Sequence, residues 1–166
     1  MLKKMGVTDD VAVLAIPGYY ARTMGPTPGN DRGIYDDAMF VITPNVFASF
    51  NANTDPSVFR QGIATLAPGV HRFRMGNHGI SRPGGGYPAF RPATKNEELP
   101  VTRDGVRVPW PGVAINIHRG SNNTTSSLGC QTIPPAQWDA FYALLSGELK
   151  RHKQKDFPYA LSLVTT

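Results

Sequence analysis

One stretch of this chain holds a nucleophile and a base a short loop apart. Val113-Ala114-Ile115-Asn116-Ile117-His118-Arg119-Gly120 is an apolar run that carries a histidine to its end. A polar Ser/Asn/Thr loop follows, and then Ser126-Ser127-Leu128-Gly129-Cys130, which brings in the single cysteine of the sequence. A thiolate is the strongest side-chain nucleophile, and near neutral pH it needs a base or a positive charge beside it. Histidine is the usual partner. A glycine next to the nucleophile lets backbone N–H groups approach a reacting carbonyl and hold the oxyanion that develops there. The chemistry implied is acyl transfer, with Cys130 as nucleophile, His118 as base and the Gly129 and Cys130 N–H groups as oxyanion donors.

Each of these residues has a bland reading beside the catalytic one. A lone cysteine is usually a small buried hydrophobe. Here it falls between a polar loop and the start of a helical pattern, a poor place for core filling. The N-terminus of that helix is expected to lower the thiol pKa, so that Cys130 alkylates quickly below pH 7. A histidine closing an apolar strand could be a satisfied core residue. Asn116 and His118 share one strand face opposite Ile115 and Ile117, however, and a polar face of this kind lines a cleft. His78 reads as an exposed loop histidine or as a substrate contact, and His71 and His152 take no role. The rival chemistry is a zinc site drawn from His71, His78, His118 and Cys130. The sequence has no His-Glu-X-X-His and no Cys-X-X-Cys, so no metal ligand or cofactor is assigned.

On these residues the chain resembles the L,D-transpeptidase (YkuD-type) catalytic domain, whose motif runs His-X-Gly, a polar loop, then Ser/Thr-His-Gly-Cys. His118, Gly120, Ser127, Gly129 and Cys130 match it in order. Leu128 stands where that family has an accessory histidine, the loop from His118 to Cys130 is shorter, and Gln131-Thr132 replaces the Arg or Asn after the cysteine. The resemblance implies that the Arg119 carbonyl fixes the tautomer of His118. It also implies a substrate, the stem peptide of bacterial peptidoglycan. Asn116, Ser127, His78 and Tyr20 are the expected substrate contacts.

The elements that must position these groups read as short strands and turns, with Gly 17 and Pro 15 among 166 residues. Val11–Ile16 reads as a buried first strand. Ala38–Thr43 and Val46–Asn51 read as a hairpin, and Val70–Met75 as a further strand. Leu99–Thr102 and Val106–Trp110 read as a second hairpin turned at Asp104-Gly105. The loop from Gly25 to Gly33 is a plain connection, or a flap with Tyr19, Tyr20 and Arg22 on substrate. The glycine-rich segment Gly76–Gly86 has no Lys-Ser/Thr after it and is not a phosphate loop. Lys95–Glu98 is expected to be a solvated bend. Pro134-Pro135 opens the one convincing helix, with Trp138, Phe141, Tyr142, Leu145 and Leu149 on its apolar stripe. Lys150–Lys155 closes it as a charged cap, and Ala160–Val164 returns as a last strand. The expected fold is mainly β, a β-sandwich-like mixed sheet with one amphipathic helix after the cysteine, in a single domain over 1–166.

Composition narrows the partners. The net charge of +5 suits an anionic polymer. No nucleic-acid motif accompanies it, so nucleic acid is not expected, and no stretch is long and apolar enough to span a membrane. The basic start Met1–Gly6 is interrupted by Asp9-Asp10, and Val11–Ile16 is too short for a signal core. The expectation is therefore a chain synthesised in the cytoplasm without a cleaved signal, acting on the cell wall (periplasm) after release or secretion. That favours a wall-degrading hydrolase of the endolysin or effector type. An L,D-transpeptidase using an amine acceptor and a non-catalytic wall-binding or phage structural module are the alternatives.

Overall fold

The first strand, β1 (Ala12–Ile16), is apolar without alternation because both of its faces are covered. Val13 and Ala15 point into the main core. Leu14 joins Ala38, Phe40 and Ala160 in a second cluster, over which Leu2 and Met5 of an N-terminal 3-10 turn are packed. The computed structural model describes residues 1–25 and 31–163.

A one-turn helix α1 (Ala21–Met24) follows, then the expected hairpin, β2 (Asp37–Ile42) with β3 (Phe47–Ala52). In β3 the alternation is kept, with Phe47 exposed and Phe50 buried. Next come β4 (Ala64–Leu66), β5 (Gly69–His78), β6 (Tyr87–Pro92), β7 (Glu98–Leu99), β8 (Val101–Arg103), β9 (Val106–Arg107) and β10 (Gly112–Val113). The chain ends with β11 (Ile117–Arg119), β12 (Gln131–Ile133), helix α2 (Pro135–Arg151) and β13 (Asp156–Leu161). Asp104 and Gly105 both take positive φ, 51° and 79°, as the tight turn between β8 and β9 requires.

Eight strands form one mixed sheet in the order β12-β11-β6-β5-β13-β1-β2-β3. Its two edges meet. Asn53, just past β3, donates its N–H to the Thr132 carbonyl of β12 at 2.8 Å and accepts the Thr132 N–H at 2.8 Å. The architecture is thus a sheet curled nearly into a barrel, not the sandwich expected, because one bridge satisfies backbone groups that open edges would leave to solvent. Two small sheets, β10-β7 and β4-β8-β9, flank it. The last strand, expected over Ala160–Val164, is centred earlier, at Asp156–Leu161. It lies between β5 and β1, in the middle of the sheet.

Helix α2 supplies the plug of the core. Trp138, Phe141, Leu145 and Leu149 are buried on the expected stripe. Phe141 meets Phe50 and Phe90 edge-on, at centroid distances of 5.2 and 6.0 Å. Its replacement by Ala removes contacts from the helix and both arms of the sheet, and a loss of about 3–5 kcal/mol is expected by denaturant titration. A loss below about 1 kcal/mol would mean that α2 is not part of the cooperative core. The end of the helix is tied down within its charged cap, since the Gln154 side chain bonds the N–H and carbonyl of Val11 at 3.0 and 2.8 Å.

A buried carboxylate closes the seam between β1 and β2. Asp37 accepts hydrogen bonds from Gly18 N–H at 2.6 Å, Thr54 N–H at 2.6 Å and Thr54 Oγ1–H at 2.7 Å. Burial outweighs these donors and raises its pKa to about 6. A carboxyl raised in the folded state favours folding fully below its unfolded value near 4, and that contribution is lost as pH rises through about 6. The displacement corresponds to roughly 3 kcal/mol. The difference in melting temperature between wild type and Asp37→Asn should therefore change between pH 4 and pH 7. A difference that stays flat across that range would show that Asp37 titrates normally.

Candidate active site

The run that was expected to be one strand from Val113 to Gly120 is broken in two. β10 ends at Val113, Ala114 takes φ 54°, and β11 starts at Ile117. The left-handed residue redirects the chain from the small β10-β7 sheet into the main one, at a cost that a non-glycine residue bears only where its surroundings impose it. Those surroundings are visible. The Ala114 N–H donates to the Glu97 carbonyl at 3.1 Å, and its own carbonyl faces the Cys130 thiol, with Sγ–H donating at 3.8 Å. The Asn116 N–H donates to Cys130 Sγ at 3.4 Å. Alternation survives the break, so Asn116 and His118 do face the same side.

The turn that presents Cys130 is built by hydrogen bonds rather than by a helix. Ser127 Oγ donates to the Cys130 carbonyl at 2.6 Å and accepts the Gly129 N–H at 3.0 Å. The Ser127 N–H donates to Ser57 Oγ at 2.7 Å, and Ser57 returns its N–H to the Ser127 carbonyl at 2.9 Å. Below the turn, Gln131 Nε2 donates to the Gly129 and Thr54 carbonyls at 3.2 and 3.0 Å, and fully buried Tyr159 donates to Gln131 Oε1 at 2.7 Å. Gly129 has φ 133°, and a Cβ there would sit 2.8 Å from the Ala64 carbonyl oxygen, so no other residue fits.

One expectation is qualified here and two change. Ser127 lines the cleft, but its hydroxyl is committed to the Cys130 carbonyl and the Gly129 N–H and so shapes the turn. The Gly129 N–H is taken by Ser127 Oγ and is not an oxyanion donor, whereas the Cys130 N–H bonds none of the described residues. Strand β12 separates Cys130 from α2, so the helix N-terminus does not act on the thiol.

His118 makes the contact with the Arg119 carbonyl that the resemblance implied. His118 is 3% exposed, and its Nδ1–H donates to the Arg119 carbonyl at 2.7 Å. Tyr87 Oη lies 3.1 Å from the same nitrogen and donates to the same carbonyl at 3.3 Å. With Nδ1 occupied as a donor, Nε2 keeps the lone pair. Tyr87 was not singled out in the sequence. Only the β5–β6 register, which sets it opposite His78, brings it to the site.

His78 is the larger surprise. β5 runs three residues beyond the expected Met75, so His78 ends a strand instead of lying in a loop. Its ring stacks on His118 with centroids 3.9 Å apart, and its Nδ1 is 3.1 Å from Asn116 Nδ2. One ligand atom each from His78, His118 and Cys130 lies within 4.8 Å of the others. A metal could be held by such a set in principle. The near-parallel rings, tilted by 22°, direct their lone pairs in two nearly parallel planes rather than at one point, which does not suit a tetrahedral ion. His71 is elsewhere, buried with Nε2 on the Ala67 carbonyl at 2.7 Å.

Electrostatics set the resting protonation. Burial, then the neighbouring His78, pushes His118 down to about 4, against the Arg119 hydrogen bond, which raises it. Burial likewise raises the Cys130 thiol, opposed by the Asn116 N–H and the Arg91 charge. The pair rests as neutral thiol and neutral imidazole. The thiolate expected from sequence requires a solvated or cationic setting that burial removes. Arg91 is itself paired with Glu97, which also binds Arg74 at 3.1 Å. The segment Lys95–Glu98 is a short turn with Lys95, Asn96 and Glu98 exposed, as expected of a solvated bend, and its half-buried Glu97 also anchors the buried Arg91.

Tyr20 is not brought to the cleft. It packs on the second cluster with Phe40 and Ile42, away from the described residues that line the thiol. Residues 26–30 of the expected flap lie outside the described residues. Leu128 lines the cleft and is 70% exposed. Compared with known proteins, the chain stands apart: no family model, no curated protein and no solved structure matches it.

Proposed function

We propose that the protein is a cysteine acyl-transfer enzyme acting on peptidoglycan stem peptides, and in the main a hydrolase. The observation that supports the chemistry is the His118 imidazole fixed through Nδ1 on the Arg119 carbonyl, in a group where one ring nitrogen of His118, one of His78 and Sγ of the half-buried Cys130 lie within 4.8 Å of one another. The substrate class rests on the resemblance of the His118–Cys130 segment to L,D-transpeptidases. Among the described residues no helix is long and apolar enough to cross a membrane. Delivery to the wall by release or secretion belongs to the same proposal.

In this reading, substrate binding draws the thiol toward His118 Nε2, a closure that resting enzymes commonly leave to the complex. The Sγ–H proton passes to Nε2 as sulfur adds to the peptide carbonyl, and the Cys130 N–H meets the oxyanion. The C–N bond then breaks, His118 delivers the proton to the leaving amine, and a thioester remains. Water adds to that thioester with His118 as base, releasing the acid and restoring the thiol. An amine in place of water would give transpeptidation. His78, stacked on His118, would stand in for the accessory histidine that Leu128 replaces, and its charge adds to the burial that lowers the His118 pKa.

The test is a digest of purified Gram-negative peptidoglycan and isolated muropeptides, read by mass spectrometry with Cys130→Ala alongside. Loss of a terminal residue or of a cross-link, with water added, supports the hydrolase. Exchange of a terminal D-residue for an added D-amino acid makes it a transpeptidase. Absence of both products leaves wall binding without turnover, whereas full activity in Cys130→Ala rejects the cysteine mechanism and makes metal chemistry the better account.

A further inference from the structure

The cleft that contains the thiol has a charge pattern for which acyl transfer alone has no use. No aspartate or glutamate is found among the described residues lining it, and one permanent cation is, Arg82. Arg72, Arg74, Arg91 and Arg151 are each paired with a carboxylate. Arg82, like Arg60, Arg103, Arg107 and Arg119, has no ion pair among the described residues, and of these it is the one that lines the cleft. Its charge acts on His78, His118 and Tyr87, three sides of the site.

The loop that carries it is shaped to hold it there. The Arg82 N–H donates to the Gly79 carbonyl at 2.9 Å, and the Gly85 N–H donates to the Arg82 carbonyl at 3.0 Å. The side chain then lies across Gly79. A Cβ on that residue would come within 3.1 Å of Arg82 Cδ and 3.2 Å of Nε, and the φ of 71° already favours glycine. The exposed Arg82 side chain thus lines the cleft, and its guanidinium makes no hydrogen bond or ion pair to the described residues. A planar fork of this kind matches a carboxylate better than a point charge does.

We propose that Arg82 is the specificity-determining residue of the cleft and seats a free carboxylate of the acyl donor next to the carbonyl that Cys130 attacks. This rests on Cys130 being the nucleophile. It narrows the substrate to peptides bearing an anionic group beside the scissile bond.

The test uses two small alkylating agents that differ in charge, so it does not depend on finding the natural substrate. Iodoacetate and iodoacetamide each lose iodide to the Cys130 thiolate, and intact mass gives both rates. The ratio of the iodoacetate rate to the iodoacetamide rate is expected to fall about tenfold in Arg82→Gln. It should be largely retained in Arg82→Lys and unchanged in Lys150→Gln, which makes the same change in net charge on α2. In the wild type the ratio should fall with added salt. An unchanged ratio in Arg82→Gln overturns the proposal, as does a thiol that reacts with neither reagent. Peptide donors offered as free acid and as carboxamide then give the substrate readout, with KM raised in Arg82→Gln for the acid alone. If the peptidoglycan digest fails while the alkylation ratio behaves as stated, the wall assignment is wrong and the carboxylate site stands.

Discussion

Cys130→Ala should lower turnover of the cleavable muropeptide on the order of 10³-fold or more, to the level of the uncatalysed control, without loss of fold. On the proposed mechanism the size follows from removing the atom that would form the thioester, since the remaining groups could orient a peptide and offer one N–H but could not divide the reaction into two easier steps. The fold should be spared because the turn is held from outside the thiol. Ser127 Oγ, Gln131 Nε2 and the bridge from Asn53 to Thr132 all bond backbone groups that an alanine keeps. The variant is to be measured with a muropeptide assay beside a thermal melt. Residual activity within about tenfold of wild type, with an intact melt, would show that another group carries the reaction.

His118→Ala should cost about 10² to 10⁴ in kcat/KM, the usual worth of a positioned base. The pH profile separates a base from a merely packed histidine. With its pKa held near 4, the wild-type imidazole stays neutral and able to accept a proton through the mildly acidic range. The acid limb of kcat/KM should therefore fall near pH 4, well below the position an ordinary histidine would give. In His118→Ala that limb should vanish, and the remaining activity should rise only as hydroxide rises. Because burial raises the thiol, alkylation by iodoacetamide should be slow below pH 7 and climb through the alkaline range. Rapid alkylation at pH 6 would instead demand a preformed thiolate–imidazolium pair. An acid limb left in place in His118→Ala would transfer the role of base to another residue.

Much of the local structure was legible because it depends on neighbours in sequence. The β2–β3 hairpin follows from alternation around Pro44-Asn45. The β8–β9 hairpin follows from the positive φ that Asp104-Gly105 accepts, and α2 from its stripe of Trp138, Phe141, Leu145 and Leu149. The contact from His118 Nδ1 to the Arg119 carbonyl was implied by the resemblance to L,D-transpeptidases and not by any local pattern. Readings that depended on what approaches from elsewhere went astray. His78 reads as a loop residue among glycines, yet β6 pairs with it and extends the strand. Ser127 reads as an exposed contact, yet Ser57, far away in sequence, claims its backbone.

By itself, then, the sequence determined the order and spacing of Cys130, Gly129 and His118 and the types of the elements that carry them. These are matters of local φ/ψ preference and hydrophobic period. Only the tertiary structure decided the curling of the sheet, the stacking of His78 on His118 and the placing of Tyr87 and Arg82 beside them. It also decided that the thiol and imidazole rest neutral. Desolvation and contacts between distant strands are properties of the packed molecule, and no window of sequence contains them.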